Sequence, residues 1–460
     1  MLTYQDYLTA KEQNGVAAFI ERAINEHKAS PAYQTAVDAE EYMRQQNPTI
    51  MSVRRLLYDA MGKAHVDTFS ANYKVPSNFF KINITQLNQH LTANGVSFDE
   101  PTTKERLGGT AFDTQLSKLS RLALVEGMSF GFLDDDQVRV FAFTEFCPLF
   151  DEEDGALKAG IRFWQLAANK PLRADLYDLD GRQSWIKRQG EELKPLDGWE
   201  QPKPYISIVA KAEADDEPVV EGINYATFPI VPCYGNYERQ SELVGKRENI
   251  DAYDLIKSGL CNDIDDVQLI YWVLKNAGGM DELDLAYWRD SIRKNHVVKT
   301  DDNVDVDMHT TDVPYGARDS VLDRLERDIC RDFMALDTRQ LATGNVTATA
   351  IEAASKPLNN RADELEYCLI EFIQGLLALV GIQDMPHFNR AEIVNALEVT
   401  QTVMMAADLL DEDTMRRKLP WLTPEECDAI PDKLAGDAVS RIDFDEDETP
   451  TEGTTTEAVE

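Results

Sequence analysis

Two long helical runs of similar length, separated by a compact module, constrain the fold of this chain most. Residues 249–276 (NIDAYDLIKSGLCNDIDDVQLIYWVLKN) read as one helix closed by Gly278-Gly279. A second run starts at Pro314 or Gly316 and reaches about Leu336, with Leu322, Leu325, Ile329 and Phe333 at helical spacing. Between them, residues 280–312 hold a short helix (Leu283 to Arg293), then Val297-Val298 and Val304 to Val306 around the turn Asp301-Asp302-Asn303. That order predicts an antiparallel helix pair carrying a small βturnβ module at its tip.

The chain upstream is mixed. The first 65 residues read as helical, with Ser30-Pro31 as a cap followed by proline at the first helical position, and Asn47-Pro48 as a stop before a helix near Thr49 or Ser52. Phe79 to Leu91 forms another helix, ended by Asn94-Gly95. From Val138 the period changes to two. Val140, Phe141, Phe143, Ile161, Phe163, Trp164, Leu176, Trp185 and Ile186 lie in β-favouring runs, with hairpin signals at Asp154-Gly155 and Asp180-Gly181. Residues 189–222, rich in Pro, Glu, Asp and Lys, read as a mobile loop or insertion. Residues 70–235 are therefore an α+β domain with an antiparallel meander.

Downstream, 337–349 is a polar loop centred on Gly344-Asn345, and Thr349-x-x-Glu352 reads as a capping box. Leu358, Ala362, Leu365, Leu369, Phe372, Leu376 and Leu379 then form a heptad seam that asks for a partner helix, with Pro357 delaying or kinking its start and Gly381 ending it. Helices near 390–410 and 423–430 follow. From Asp437 the last 24 residues carry nine acids and one arginine, a composition that predicts disorder.

Charge narrows the function. The 460 residues hold 82 acidic and 46 basic side chains, for a net charge of −36. A generic nucleic-acid binder needs a basic face to neutralise phosphates, so that class is disfavoured, as is an anionic membrane surface. No apolar stretch is long enough to span a bilayer, and the N-terminal residues lack the pattern of a signal peptide. The six cysteines (Cys147, Cys233, Cys261, Cys330, Cys368, Cys427) show no zinc spacing and read as reduced core residues.

Catalytic signals are weak. Asp134-Asp135-Asp136, Asp151-Glu152-Glu153-Asp154 and Asp263-x-Asp265-Asp266 are oxygen-rich, as magnesium or calcium would require, yet none matches an EF-hand and the solvated-turn reading is favoured. The six histidines are scattered, and no HExxH, GxSxG, GxxxxGK[ST] or GxGxxG occurs. No catalytic, cofactor or metal residue is assigned. The helix pair says more. Asp251, Asp254, Asp263, Asp265 and Asp266 outnumber Lys257 and Lys275 in the first run. In the second, Asp319, Asp323, Glu326, Asp328 and Asp332 interleave with Arg318, Arg324, Arg327 and Arg331. Pairs such as Asp323/Arg327 and Arg324/Asp328 sit at i,i+4, within the helix or across to a neighbour. In a lone monomer this is a surface laced with ion pairs. In copies ringed side by side, surplus acids such as Asp251, Asp254, Asp319, Asp323 and Glu326 would face a channel and repel a sliding duplex.

These blocks, in order, resemble the portal proteins of tailed bacteriophages, in the branch typical of long-tailed siphophages. Phe79-Phe80-x-Ile82 leading to Leu87-Asn88 and Asn94-Gly95-Val96 is similar to one family block. Gly127-x-Ser129-Phe130-Gly131-Phe132, Val140-Phe141, Glu145 to Asp151 (EFCPLFD) and Gly160-Ile161-Arg162-Phe163-Trp164 resemble its β core. Asp251-Ala252-Tyr253-Asp254, Ser258 and Asn262-Asp263 resemble the start of its first stem helix, and Thr347 to Ala354 its tunnel-loop junction. The likeness runs from about residue 15 to 430; the 189–222 stretch does not align.

The resemblance implies an α+β portal fold. It has a mainly helical wing (1–245, with N-terminal helices and an α+β core), stem helices at 246–278 and 314–337, and a small α/β clip at 279–313. A tunnel loop (338–349), a wing helix (350–385), a helical crown (386–436) and a disordered acidic tail (437–460) complete it. It further implies a non-enzymatic ring of about twelve copies at one capsid vertex, assembled in the host bacterial cytoplasm and kept in the virion. Double-stranded DNA would pass through. Expected partners are the terminase large subunit, the major capsid and scaffold proteins and a head-completion adaptor, with no membrane. Arg339, Thr343, Gly344, Asn345, Val346 and Thr347 would face DNA in the tunnel loop, and Asp301, Asp302 and Asn303 would form the clip's partner face. The alternatives are a metal-dependent carboxylate-cluster enzyme and an acidic monomeric scaffold or interaction protein.

Overall fold

A computed structural model describes residues 2–58, 61–68, 70–134, 137–209, 220–267, 271–275, 305–309, 315–337, 348–391, 396–406 and 411–419, with 422, 427 and 430. The chain divides into two compact units, Met1–Ala335 with Pro357–Ala391, and Leu336–Lys356 with Glu392–Glu460.

The larger unit opens with four helices: α1 (Tyr4–Glu12), α2 (Val16–Ala29), α3 (Pro31–Met43) and α4 (Pro48–Ser52). Ser30 caps α3, its hydroxyl accepting from the Tyr33 amide, with Pro31 at the first position. A hairpin follows, β1 (Leu56–Tyr58) with β2 (Ala64–Val66), where the sequence had read as helix. Next come α5 (Phe79–Thr92), β3 (Val96–Phe98), α6 (Pro101–Arg106) and α7 (Thr110–Glu126). Gly95 closes the α5 turn at φ +72°, in the left-handed region that glycine tolerates.

The β region starts at Met128, ten residues before the alternation that announced it. Strands β4 (Met128–Asp134) and β5 (Gln137–Ala142) pair with β13 (Ile230–Tyr234) in a three-stranded sheet. A meander of β6 (Phe146–Phe150), β7 (Leu157–Trp164), β8 (Leu172–Asp178), β9 (Gly181–Lys187) and β10 (Lys194–Pro195) makes a five-stranded antiparallel sheet. The 189–222 stretch is thus not simply a loop. It supplies β10 and most of a hairpin, β11 (Ile206–Val209) with β12 (Val220–Ile223).

Two cores hold these layers. One face of α2 (Phe19, Ile20, Ala23, Ile24) packs on the meander residues Cys147, Leu149, Ile161, Leu176 and Trp185. Between the two sheets lies an aromatic core of Phe130, Phe132, Phe141, Phe143, Phe146 and Tyr177. The Phe130 and Phe146 ring centroids are 4.4 Å apart. Gly160 is required beside them, because a Cβ there would come within 2.1 Å of the Phe146 ring.

The first long helix, α8, spans Arg247–Val267 and stops nine residues short of its expected end. Residues 271–275 are strand β14 (Tyr271–Lys275), paired antiparallel with β15 (Asp305–His309), so Leu274 faces Val306. The Tyr-Trp-Val-Leu run prefers a pleated surface over helix. The expected short helix at 283–293, Val297-Val298 and the turn at 301–303 lie outside the described residues. The second long helix, α9, is Tyr315–Asp332.

A third long helix, α10 (Ala348–Val380), runs through Pro357. Thr349 lies inside it, so the expected capping box is not the helix start. The heptad seam is buried, with Leu365, Leu369 and Leu376 fully covered, but its partner is chiefly a sheet. A Cβ at Gly131 of β4 would sit 2.4 Å from Phe372, and one at Gly375 would sit 2.8 Å from Val231 of β13. Residues 386–388, expected to begin a helical crown, form β16 (Pro386–Phe388) against β3.

The smaller unit contains α11 (Ala396–Met405), inside the helix expected near 390–410; it also contains α12 (Glu412–Arg417), a helix the sequence had not signalled. Of the helix expected at 423–430 only 427 and 430 are described, both helical. The tail from 437 lies outside the described residues. No helix among the described residues is long and apolar enough to cross a membrane.

Candidate functional site: a helix pair and its anchor

The site builds up from α8. Four residues that carried the resemblance to a first stem helix (Asp251, Asp254, Ser258, Asn262) share one stripe of this helix, and all engage the body of the larger unit. Asp254 is fully buried and accepts from the Ser77 amide at 2.8 Å and from the Asn47 side chain. Ser258 Oγ accepts from the Val75 amide at 3.0 Å, and Asn262 Oδ1 from the Tyr73 amide at 2.6 Å. Alternate amides of 73–77 therefore step up successive turns of α8.

The two periods match because four helical residues rise about 6 Å, nearly the ~6.6 Å that two extended residues cover. Each donor that would otherwise be an unpaired backbone amide finds a side-chain acceptor. Asp251 fastens the same end: it accepts from Thr49 Oγ1 at 2.7 Å and from the Tyr42 hydroxyl, and its carboxylate lies 3.5 Å from Arg247 Nε. Burial raises the Asp254 pKa, while the bonds from Ser77 and Asn47 lower it.

Asp251 and Asp254 are thus corrected. Both acids are committed to internal hydrogen bonds, and a fully buried carboxylate such as Asp254 cannot line an open channel. The other three expected channel acids lie on α9, where Asp319 and Asp323 are exposed and Glu326 is half-buried.

Helices α8 and α9 are antiparallel. Arg318, near the start of α9, pairs with Asp263 near the end of α8, and Asn249 at the other end donates to Asp332 at 2.7 Å. Ile329 and Phe333 are buried at the base, and Phe333 packs 6.1 Å from the Phe80 ring. The i,i+4 pair Arg324/Asp328 forms at 3.7 Å. Arg327 donates instead to the Asp323 carbonyl at 3.1 Å.

In each carboxylate cluster at least one acid pairs with a cation of the chain itself. Asp263 has Arg318, Asp134 has Arg139 at 2.5 Å, and Asp151 and Asp154 share Lys158. Among the described residues no three His, Cys, Asp or Glu side chains converge as a metal site would need. None of the six cysteines is joined in a disulfide, and four are buried. The tunnel-loop residues Arg339, Thr343, Gly344, Asn345, Val346 and Thr347 and the clip residues Asp301, Asp302 and Asn303 lie outside the described residues.

A mixed α/β body that fastens the base of an antiparallel helix pair is the architecture in which comparison with known proteins becomes informative. The family model described as "Phage portal protein, SPP1 Gp6-like" matches residues 45–439. The chain belongs to that family. The portal protein of Bacillus phage SPP1 is 23% identical over 440 residues, covering 88% of this chain and 84% of that one. The portal protein of Clostridium phage phiCD119 is 23% identical over 215 residues, which cover 44% of this chain and 47% of that one. Among solved structures, the neck of a native GTA particle computed with C12 symmetry aligns at a TM-score of 0.43 and 10% identity, over 74% of this chain and 89% of that one.

Proposed function

We propose that this chain forms a ring of about twelve copies at one capsid vertex, a channel through which double-stranded DNA enters the head and later leaves it. The observation that carries this reading is the family match over residues 45–439, which spans both long helices and everything between them. The anchor on α8 supports it mechanically. Asp251, Asp254, Ser258 and Asn262 fix three turns of α8 to the body, while Asp319 and Asp323 of α9 stay exposed, where a passing duplex would be repelled rather than held.

In this reading residues 279–313 form the face that meets the terminase large subunit and then the head-completion adaptor, with Asp301, Asp302 and Asn303 on it. Of the loop expected at 338–349, residues 338–347 approach DNA, since 348 and 349 belong to α10. The wing meets shell and scaffold proteins, assembly takes place in the host cytoplasm, and the ring stays in the virion. The test is packaging. Capsids assembled without this chain should remain empty of DNA, and capsids that fill normally without it would overturn the proposal.

A further inference from the structure

We propose that the β1–β2 hairpin of one copy docks on an exposed tyrosine face of the next copy, formed by Tyr237 and Tyr367. This inference rests on the ring reading above. The hairpin stands uncovered. Every residue of β2 is exposed, and Leu56 and Val66, opposite each other in the ladder, are 49% and 51% exposed. Met61, three residues before β2, is 94% exposed. A two-stranded hairpin is marginal in water and holds its shape when a further layer covers its apolar face. Among the described residues no such layer covers Leu56, Val66 and Met61.

Charge points to what covers them. Residues 54–66 hold three cations, Arg54, Arg55 and Lys63, against one acid, Asp59, in a chain with 82 acids and 46 bases. Arg54 and Lys63 are exposed. A basic, apolar projection on a copy of net charge −36 is complementary to a second copy of the same chain. A phosphate backbone would leave Leu56, Val66 and Met61 in water.

The receiving face is aromatic and acidic. Tyr237, between β13 and α8, donates its amide to Glu364 Oε1 of α10 at 3.0 Å, and Tyr367 stands three residues on, on the same side of that helix. Both tyrosines are exposed, at 64% and 62%. Glu238 beside Tyr237 and Glu371 one turn beyond Tyr367 are exposed, and neither has an ion-pair partner among the described residues. Glu364 is held by Arg361 at 2.5 Å, and Arg239 lies over the Tyr234 ring at 4.3 Å. The tyrosine rings accept the methionine and the aliphatic pair, while Glu238 and Glu371 meet Arg54 and Lys63. Hairpin and tyrosine face are different surfaces of one chain, so the contact is head to tail, the kind that closes a ring.

Photo-cross-linking tests the contact. Met61 is replaced by p-benzoylphenylalanine in the full chain, produced with the shell and scaffold proteins of its phage, and cross-linked peptides are mapped by mass spectrometry after irradiation. Covalent species of two or more chains should form, joined through peptides that hold Tyr237 or Tyr367. In parallel, Leu56→Glu with Val66→Glu, both at exposed positions, is followed for rings by negative-stain imaging and sedimentation, with circular dichroism reporting the fold. This variant should lose rings at concentrations where the wild type forms them. Cross-links that stay within one chain, reach the shell protein, the scaffold protein or DNA instead, or land elsewhere on the second copy would overturn the proposal. Undiminished rings from the double variant would do the same. If that variant does not fold, the cross-link alone decides. A wild type found as a single chain under these conditions would instead remove the ring reading on which the contact rests.

Discussion

At the residue scale the decisive side chains are buried carboxyls with assigned partners. Asp254 satisfies a backbone amide and an amide side chain in a closed environment. Asp254→Ala should therefore cost about 1–3 kcal/mol, the price of orphaned buried donors, while Asp254→Asn, which keeps one acceptor, should cost less. Urea unfolding midpoints check both. Glu126, at the end of α7, accepts from the Thr144 amide at 2.8 Å, and burial pushes its pKa up to about 8 from 4.5. An acid with a raised folded pKa holds a proton that the unfolded chain releases, so stability falls as pH rises from about 4.5 to 8. Glu126→Gln should flatten that slope in urea midpoints measured across the window; an unchanged slope would contradict the assignment. The acids also mark where sequence reading stopped. Asp251 and Asp254 read as channel acids, but Tyr42, Asn47, Thr49 and Ser77, which cover their stripe of α8, lie about 200 residues away in the chain. A helical period shows which residues share a face, and it does not show whether that face meets water or protein.

At the element scale, strong periodicity was legible and short strands were not. Helices α3, α5, α9 and the buried seam of α10 stand where caps and spacing put them, and the hairpins at Gly155 and Gly181 turn as their Asp-Gly signals said. The pairs β1–β2 and β16–β3 were missed because strands of three residues carry too few alternations to declare themselves, and the second pair joins segments far apart in sequence; β15 overlaps the β run read at Val304 to Val306, but its partner β14 had read as helix. The α10 seam shows a related error: an apolar stripe at heptad spacing is satisfied equally well by a sheet whose glycines, Gly131 above all, admit an aromatic ring. The loop expected at 338–349, less 348 and 349, which lie in α10, belongs to this scale too. Loops of that length are uncommon between neighbouring helices, and the proposal gives this one a role at the DNA. Deleting 343–347 should leave rings intact and reduce the DNA packaged or retained. Normal packaging by the deletion would remove that role.

At the scale of the whole molecule, charge governs assembly. Each copy brings −36, and repulsion between whole subunits acts at long range, whereas packing between copies acts at contact. Salt at about 0.1 M screens beyond roughly 10 Å, so it relieves the first far more than it weakens the second. Ring assembly should strengthen on going from low to moderate salt, or on adding divalent cations, when followed by sedimentation; rings that dissociate on adding salt would contradict this balance. The central claim is the ring itself, and native mass spectrometry tests it most directly, on protein co-produced with the shell and scaffold proteins of its own phage. The account predicts a complex of about twelve or thirteen times 51.9 kDa. A single species at 51.9 kDa under those conditions would contradict it.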